Sequence, residues 1–291
     1  MIPAAFEYHR AANLADALAL LERHGDGAKV LAGGQSLLPL LKLRLGMVTD
    51  LVDIGAVEGL DYIKEEGGFL KIGAMTREVE LERSDLIKAK YPILLDTAAV
   101  IADPLVRNRA TVGGNLAHAD PANDHPATMI ALGATVVARG PKGERTIPIE
   151  QFFKDVFTTA LAPNEILTEI RIPVPGPRTG GAYVKLERKV GDFAIAGAAA
   201  QVTLRDSGEV ERAGIGLTDA GKVALKAGEA EKYLVGKKPV APTLGEAGKL
   251  AGQAATPTAD RRGSVQYKRE MARVLTMRAL QKAVERAGGR R

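Results

Sequence analysis

The 291-residue chain has no cysteine, no tryptophan and only four histidines. Without cysteine it can form no disulfide, hold no iron–sulfur cluster through thiolates and offer no thiol nucleophile. His9, His24, His118 and His125 show no recognised metal-ligand spacing, so the sequence predicts no metal site in this chain. We expect His118 and His125 to lie on the surface or in a loop, because a proline-bearing segment separates them.

Long apolar runs are also absent. No uninterrupted stretch approaches the length of a membrane span, and residues 1–7 lack the basic start and apolar stretch of a signal peptide. Hydrophobic residues at 46% and charged residues at 26% are ordinary values for a globular protein. We therefore expect a soluble cytoplasmic protein whose contact with a membrane, at its inner face, is at most peripheral.

The familiar phosphate-binding motifs are missing as well. There is no Gly-x-x-x-x-Gly-Lys-[Ser/Thr] loop, and the glycines near residue 215 lack the third glycine of the Rossmann fingerprint. Two glycine-pair segments are present instead: Ala32-Gly33-Gly34-Gln35-Ser36-Leu37 and Thr111-Val112-Gly113-Gly114-Asn115. Each is predicted to be a strand end that turns sharply, where backbone N–H groups form a nest for anionic oxygens. Two such nests would clasp a dinucleotide pyrophosphate, and two ordinary tight turns are the alternative.

The polar and apolar pattern predicts two regions on either side of Pro173-Val174-Pro175-Gly176-Pro177, a segment that can neither continue a helix nor form a central strand. Before it, strands and short helices alternate, with Asn13, Thr76 and Ser84 as predicted helix caps. After it, predicted strands at 181–187, 196–204 and 213–217 precede predicted helices near 227–234, 243–253 and 264–287. Strands followed by helices indicate an α+β layer.

The C-terminal segment 261–291 is rich in lysine and arginine. Such a segment could bind nucleic acid or anionic lipid, which gives a hypothesis of a different class: a basic binding module without flavin. The same segment has apolar residues every three or four positions, at Met271, Val274, Met277, Leu280 and Val284. A packed helix with a solvated basic face, or one that docks an acidic partner subunit, is therefore the favoured interpretation, and we expect no nucleic-acid partner.

Four segments are similar to the FAD-binding medium subunits of the molybdenum hydroxylase (xanthine dehydrogenase) family, and they occur in the family's order. The two glycine segments resemble its pyrophosphate loops. Asp120-Pro121-Ala122-Asn123-Asp124 resembles the segment that contacts the flavin ribityl chain, and residues 185–194 resemble the motif beside the isoalloxazine ring. Within the family the similarity is greatest to the carbon monoxide dehydrogenase type, and it extends from Pro3 to about residue 287.

The resemblance implies an α+β fold with a two-lobed FAD-binding region of the vanillyl-alcohol-oxidase (PCMH) type. This region would occupy residues 1–175, with lobes at about 1–56 and 57–175, and a smaller C-terminal α+β domain would occupy 178–287. The implied function is an oxidoreductase subunit whose FAD takes electrons from [2Fe–2S] clusters of a small subunit and passes them to an external acceptor such as a quinone. Substrate would be oxidised at a molybdenum cofactor in a large subunit, and the assembly would be a dimer of heterotrimers. The alternative within the family is an enzyme acting on an aldehyde, an N-heterocycle or an aromatic acyl-CoA.

The resemblance also implies which residues contact FAD. The pyrophosphate would be bound by backbone donors and by the side chains of Ser36 and Asn115, within the set Ala32, Gly33, Gly34, Gln35, Ser36, Leu37, Thr111, Gly113, Gly114 and Asn115. Asp124 would accept from ribityl hydroxyls, and a helix-capping role fits it equally. Ile101 and Leu167 would border the cofactor, and a plain core role fits both.

Lys185 and Phe193 would lie near the flavin ring. A cation at Lys185 would favour the anionic reduced ring, and a solvated lysine is the alternative. Phe193 stands where close relatives often have Tyr or Trp, so the stacking face is kept and the polar group is lost. No catalytic side chain is expected, because the cofactor carries the redox chemistry. FAD is expected to bind non-covalently, since the chain has no cysteine and no well-placed histidine for a flavin linkage.

Overall fold

A computed structural model describes residues 2–288 of the chain. The first lobe is built on a parallel three-stranded sheet in the order β1-β3-β2. Its elements are β1 (Glu7–Arg10), α1 (Leu14–His24), β2 (Ala28–Leu31), α2 (Leu37–Lys42) and β3 (Asp50–Asp53). The predicted start of α1 is confirmed, because the side chain of Asn13 accepts a hydrogen bond from the Asp16 N–H at 2.9 Å.

The second lobe contains an antiparallel sheet in the order β4-β5-β10-β6-β7, and six short helices lie between β5 and β6 in the chain. Its elements are β4 (Ile63–Glu66), β5 (Phe69–Gly73), α3 (Glu78–Arg83), α4 (Asp85–Lys90), α5 (Pro92–Ala99), α6 (Pro104–Arg107), α7 (Val112–His118), α8 (Asp124–Leu132), β6 (Thr135–Gly140), β7 (Gly143–Pro148), α9 (Ile149–Phe152), β8 (Phe153–Asp155), β9 (Thr158–Thr159) and β10 (Ile166–Pro173). Buried Ile72 and Ile170 of the sheet pack in one core with Leu94 and Leu116 of the helices.

Two of the three predicted caps are confirmed, and the third is wrong. Ser84 accepts from the Ile87 N–H and starts α4. Thr76 does not cap a helix: its hydroxyl donates to the carbonyl oxygen of Tyr62 at 3.0 Å, and α3 begins after Arg77. The hydroxyl of Thr76 is fully buried, and the nearby strand end offers it a carbonyl partner that the sequence pattern does not show.

The C-terminal region is a four-stranded antiparallel sheet covered by helices, in the strand order β11-β12-β13-β14. Its elements are β11 (Thr179–Leu186), β12 (Ala196–Leu204), β13 (Val210–Thr218), β14 (Leu225–Lys226), α10 (Gly228–Leu234), α11 (Ala241–Ala254) and α12 (Val265–Ala287). The predicted order of strands followed by helices is confirmed, and so is the α+β class. No helix within residues 2–288 is both long and apolar enough to cross a membrane.

The buried face of α12 shares Leu280 with the predicted stripe and otherwise consists of neighbouring, mostly smaller residues. Its most buried apolar residues are Ala272, Leu275, Ala279, Leu280 and Ala283, whereas Met271, Met277 and Val284 are only partly buried. The reason is the short distance between helix and sheet: a Cβ added to Gly180 on β11 would lie 2.2 Å from the carbonyl oxygen of Ala283. Alanine is small enough to fit at this distance. A search for large apolar residues therefore finds the residues beside the closely packed face and misses the alanines that form it.

Candidate cofactor site

A cavity of about 620 Å³ lies between the two lobes. Its volume is within the range typical of small-molecule and cofactor sites. The first lobe lines it with the end of α1 and the segment from β2 into α2, and the second lobe with the start of α7, residues 157–163 and β10. Of the residues assigned to the site from the sequence, the cavity lining contains Ala32, Gly33, Gly34, Gln35, Ser36, Leu37, Thr111, Gly113, Gly114, Asn115 and Leu167.

The first glycine segment presents a run of free backbone donors to this cavity. The N–H groups of residues 33–37 have no hydrogen-bond acceptor within the described part of the chain. Gly34 has a φ of +74°, a conformation that glycine adopts without penalty, and the Gln35 amide donates to the Gly33 carbonyl at 3.1 Å. Successive N–H groups in a turn of this kind bind anionic oxygens.

Gly33 is needed for a different reason, which is the close approach of two backbones. A Cβ at Gly33 would lie 2.2 Å from the carbonyl oxygen of Arg109 and 2.9 Å from the Cα of Ala110. Any side chain here would push the first glycine segment away from the chain leading into Thr111. This close approach therefore helps to set the relative position of the two glycine segments.

The second glycine segment is not the sharp strand-end turn that the sequence predicts. Thr111 is the N-cap of α7, and its hydroxyl accepts from the Gly114 N–H at 3.2 Å. The Gly113 N–H donates to the carbonyl oxygen of Ala74 at 3.0 Å, and the Asn115 N–H donates to that of Thr111 at 2.9 Å. Neither glycine has a positive φ. Gly113 instead allows α7 to pack on Ala74, because an added Cβ would lie 2.7 Å from the Cα of that residue.

A side-chain oxygen of this second segment is also left for a ligand. Oδ1 of Asn115 is buried and has no hydrogen-bond partner within the described residues. Asn115 lines the cavity as part of the second lobe, and residues 33–37 line it as part of the first. Buried polar atoms normally have a hydrogen-bond partner, and a hydroxyl or N–H group of a ligand could donate to this oxygen.

Part of the cavity wall was missed by the sequence analysis. Phe157, Leu161 and Pro163 line it from the irregular chain around β9, and His118 lies 5.0 Å from the Phe157 ring, centroid to centroid. The expectation of a surface or loop position for His118 is wrong, because this residue ends α7 at the cavity; burial lowers its pKa below the ordinary value. Residues 157–163 have no periodic pattern, so no sequence signal identifies them.

Asp124 and Lys185 lie outside the cavity lining and form a buried ion pair. Lys185 Nζ lies 3.0 Å from Oδ2 of Asp124 and donates to the carbonyl oxygen of Val100 at 2.9 Å. The Tyr183 hydroxyl donates to Oδ1 of Asp124 at 2.6 Å. The Lys185 side chain is only 2% exposed, so the alternative of a solvated lysine is wrong. Burial raises the pKa of the Asp124 carboxyl, and the Lys185 cation and the Tyr183 hydroxyl oppose that rise.

Asp124 does not have the alternative helix-capping role. Asn123 is the N-cap of α8, and Asp124 is the first residue of the helix. The Asn123 side chain donates to the carbonyl oxygen of Asn115 at 2.9 Å. Asn115 lines the cavity, and Asn123 directly precedes Asp124 of the ion pair. This hydrogen bond therefore links the cavity wall to the ion pair.

Ile101 and Phe193 also lie outside the cavity lining. Ile101 is buried next to Val100, and its carbonyl oxygen accepts from Arg107 at 3.1 Å. Phe193 is 46% exposed, with the Arg262 guanidinium 6.0 Å from its ring centroid. Phe193 therefore presents part of its apolar ring to solvent, outside the cavity.

His125 is also wrongly predicted as a surface or loop residue. It is fully buried in α8, and its Nε2 lies 2.7 Å from Oε2 of Glu78, which is equally buried. Every residue of α8 is buried. Because the helix passes through the core, its few polar side chains must find partners inside the protein.

The basic residues of α12 are largely paired within the chain. Lys268 contacts Asp219 at 2.7 Å and Asp260 at 2.9 Å, while Lys282 and Arg286 both contact Asp96. These pairs reduce the positive charge that a nucleic acid or anionic lipid would meet. Arg290 and Arg291 of the basic segment lie outside the described residues.

Comparison with known proteins identifies the class. Residues 4–175 match the family model for the FAD binding domain in molybdopterin dehydrogenase, and residues 181–283 match the CO dehydrogenase flavoprotein C-terminal domain. The chain belongs to the family of FAD-binding medium subunits of molybdenum hydroxylases, and it is a flavoprotein oxidoreductase subunit. The family, the fold and FAD as the cofactor were all predicted from the sequence, and all three predictions are confirmed.

Several members of this family are similar to the chain over nearly its full length. The chain is 45% identical to the carbon monoxide dehydrogenase medium chain of Afipia carboxidovorans, with 99% of each chain covered. It is 39% identical to the 6-hydroxypseudooxynicotine dehydrogenase complex subunit alpha of Paenarthrobacter nicotinovorans, with 99% of this chain and 97% of the relative covered. Among solved structures, carbon monoxide dehydrogenase of Hydrogenophaga pseudoflava matches with a TM-score of 0.96 and 44% identity, covering 98% of this chain and 99% of that one.

Proposed function

We propose that this chain is the FAD-carrying electron-transfer subunit of a carbon monoxide dehydrogenase. A large subunit with a molybdenum cofactor oxidises carbon monoxide, and [2Fe–2S] clusters of a small subunit deliver the electrons to FAD in this chain. An external acceptor such as a quinone then takes them. The assembly is a dimer of heterotrimers in the cytoplasm, and its contact with the inner face of the membrane is at most peripheral. Nearly full-length similarity to carbon monoxide dehydrogenase medium chains supports this assignment.

The free N–H groups of residues 33–37 are the observation that carries the site assignment. We assign the FAD pyrophosphate to these donors and an FAD hydroxyl or N–H to the buried Oδ1 of Asn115. FAD, when bound, supplies the redox chemistry, and the chain binds and orients it. The remaining proposed contacts are Ala32, Ile101, Thr111, Gly113, Gly114, Asp124, Leu167, Lys185 and Phe193. The absence of cysteine agrees with clusters held by a partner subunit.

We further propose that the chain divides near the proline-rich segment. Residues 1–175 form the FAD-binding region, with lobes at about 1–56 and 57–175, and residues 178–287 form the C-terminal domain. Two features support this division: each proposed lobe or domain has its own principal sheet, and β10 ends at Pro173 immediately before the segment.

Activity should require the partner subunits. A complex captured from the native host through this chain is expected to contain molybdenum and iron and to reduce a dye in the presence of carbon monoxide. The isolated chain is expected to bind FAD and to show no carbon monoxide oxidation, because it is expected to hold neither a molybdenum nor an iron–sulfur centre. Metal content is measured on both samples, and dye reduction is measured on both with the same panel of substrates.

The panel includes an aldehyde, an N-heterocycle and an aromatic acyl-CoA. Turnover of one of these by the complex, with none of carbon monoxide, would assign the chain to another enzyme of the family. Carbon monoxide oxidation by the metal-free isolated chain would refute its role as an electron-transfer subunit.

A further inference from the structure

Two histidines and one carboxylate meet in the first lobe. Nε2 of His9 lies 2.7 Å from Oδ1 of Asp50, and Nδ1 of His24 lies 2.9 Å from the same oxygen. The two imidazole rings are 4.5 Å apart, centroid to centroid. His9 is on β1, Asp50 begins β3 and His24 is the last residue of α1. The sequence gives no indication of this cluster, because the three residues come from separate elements.

The spacing of these atoms is suitable for ligands of one metal ion. All three candidate ligand atoms lie within 4.8 Å of one another. Zinc binds imidazole nitrogen and carboxylate oxygen at about 2.0–2.2 Å, which places neighbouring ligand atoms about 3 Å apart. In the metal-free arrangement, ring N–H groups can donate to the shared carboxylate oxygen. A cation would replace those protons and use the freed nitrogen lone pairs.

A neighbouring hydroxyl holds Asp50 in an orientation suitable for a metal ligand. The hydroxyl of Thr49 donates to Oδ2 at 2.7 Å, which leaves Oδ1 directed at the two imidazoles. A fixed carboxylate with a hydrogen-bonded second oxygen is a common arrangement in metal sites.

We propose that His9, His24 and Asp50 form a binding site for a divalent transition metal ion, with zinc as the preferred ion. Two imidazoles and a carboxylate favour zinc and its neighbours in the first row over magnesium or calcium, which prefer oxygen ligands. The histidine side chains are 25% and 23% exposed, so the ion can enter from solvent and keep water as a further ligand. The site is separate from the FAD assignment and does not depend on it.

Its place in the fold gives the ion a structural effect. The ion would connect β1, β3 and the C-terminal end of α1, and the next two residues after His24, Gly25 and Asp26, line the large cavity. Metal binding should therefore restrain one wall of the cavity. We expect zinc to raise the thermal unfolding temperature of the FAD-loaded chain, since any ligand that binds only the folded state stabilises it.

The test uses the full, untagged chain loaded with FAD and treated with a chelator, which is then removed. Zinc is titrated by calorimetry, and cobalt is titrated as a spectroscopic probe whose visible bands report nitrogen and oxygen ligands. One equivalent of each ion is expected to bind. His9→Gln and His24→Gln should each weaken zinc binding at least about 100-fold. Loss of an outer-shell partner already costs up to about 100-fold in metal affinity, and these histidines are proposed as direct ligands. Glu22→Gln removes an exposed carboxylate of α1 that lies outside both the cluster and the cavity lining, and it should leave zinc affinity within about twofold.

Several results would overturn the site. One is the absence of zinc and cobalt binding to the native chain. Another is equal affinity in the native chain and in both cluster variants, which would place the ion elsewhere. If one variant fails to fold, the other variant together with Asp50→Asn still decides the question, because cobalt bands are read only from folded protein. Binding of protons alone, seen as a pH-dependent change with no metal uptake, would identify a hydrogen-bonded histidine pair.

Discussion

The Gly33→Ala variant is expected to fold and to lose FAD almost completely. Its new Cβ would lie 2.2 Å from the Arg109 carbonyl oxygen, a backbone atom that cannot swing aside. The segment carrying the free N–H groups of residues 33–37 must then move relative to α7. Losing two hydrogen bonds to a charged phosphate costs about 3 kcal/mol or more, which weakens binding roughly 100-fold. Bound FAD per folded chain and FAD affinity by fluorescence titration measure the effect.

A matched glycine elsewhere provides the control. Gly245 is in α11, and an added Cβ there meets no atom within 4 Å. Gly245→Ala should keep full FAD occupancy and gain up to about 1 kcal/mol of stability, because alanine is the better helix former. Full FAD occupancy in Gly33→Ala, with circular dichroism showing a native fold, would mean that residues 33–37 do not hold the pyrophosphate.

Lys185→Met is expected to destabilise the chain by about 3–5 kcal/mol, the usual cost of leaving one member of a buried ion pair alone. The substitution keeps the apolar stem and removes the ammonium group that lies 3.0 Å from Asp124. Urea unfolding at neutral pH, with the same free FAD concentration in each sample, measures the loss. Adding Asp124→Asn should restore part of the stability, because the lone carboxylate is then replaced by a neutral amide.

The loss should also depend on pH in a defined direction. In the variant, burial without the cation leaves the folded-state pKa of Asp124 above its unfolded value. The deficit is then smallest below the unfolded pKa, where the carboxyl is protonated in both states, and grows as pH rises through the folded pKa. Lys226→Met serves as the control, since Lys226 is 40% exposed and pairs with Glu150 at the surface; it should cost less than about 1 kcal/mol. An equally small loss for Lys185→Met would contradict the buried pair.

Local sequence signals predicted much of the architecture. The proline-rich segment, the Asn13 cap and the strand and helix order beyond Pro177 follow from short-range rules, and the structure agrees with them. The two glycine segments also line one cavity, as the resemblance implied. Their local conformations could not be read from the glycines alone. Gly33, Gly34 and Gly113 are glycine for three different reasons: a backbone contact, a positive φ and the packing of a helix.

Contacts between distant segments were the part that sequence reasoning could not supply. His125 pairs with Glu78, Lys268 pairs with Asp219, and His9 and His24 share Asp50. Each contact depends on the packing of whole elements, so no spacing rule identifies it. The cavity wall at residues 157–163 was missed for the same reason, since irregular chain has no period to detect.

The amount of FAD bound per folded chain tests the central claim most directly. The purified, untagged chain is saturated with FAD, passed through gel filtration and precipitated with acid, and flavin is measured in the supernatant and in the pellet. We predict one FAD per chain, all of it in the supernatant, because the chain has no cysteine and binds the cofactor non-covalently. A folded chain that retains no flavin would contradict FAD binding in this cavity, and flavin that stays in the pellet would contradict the non-covalent mode.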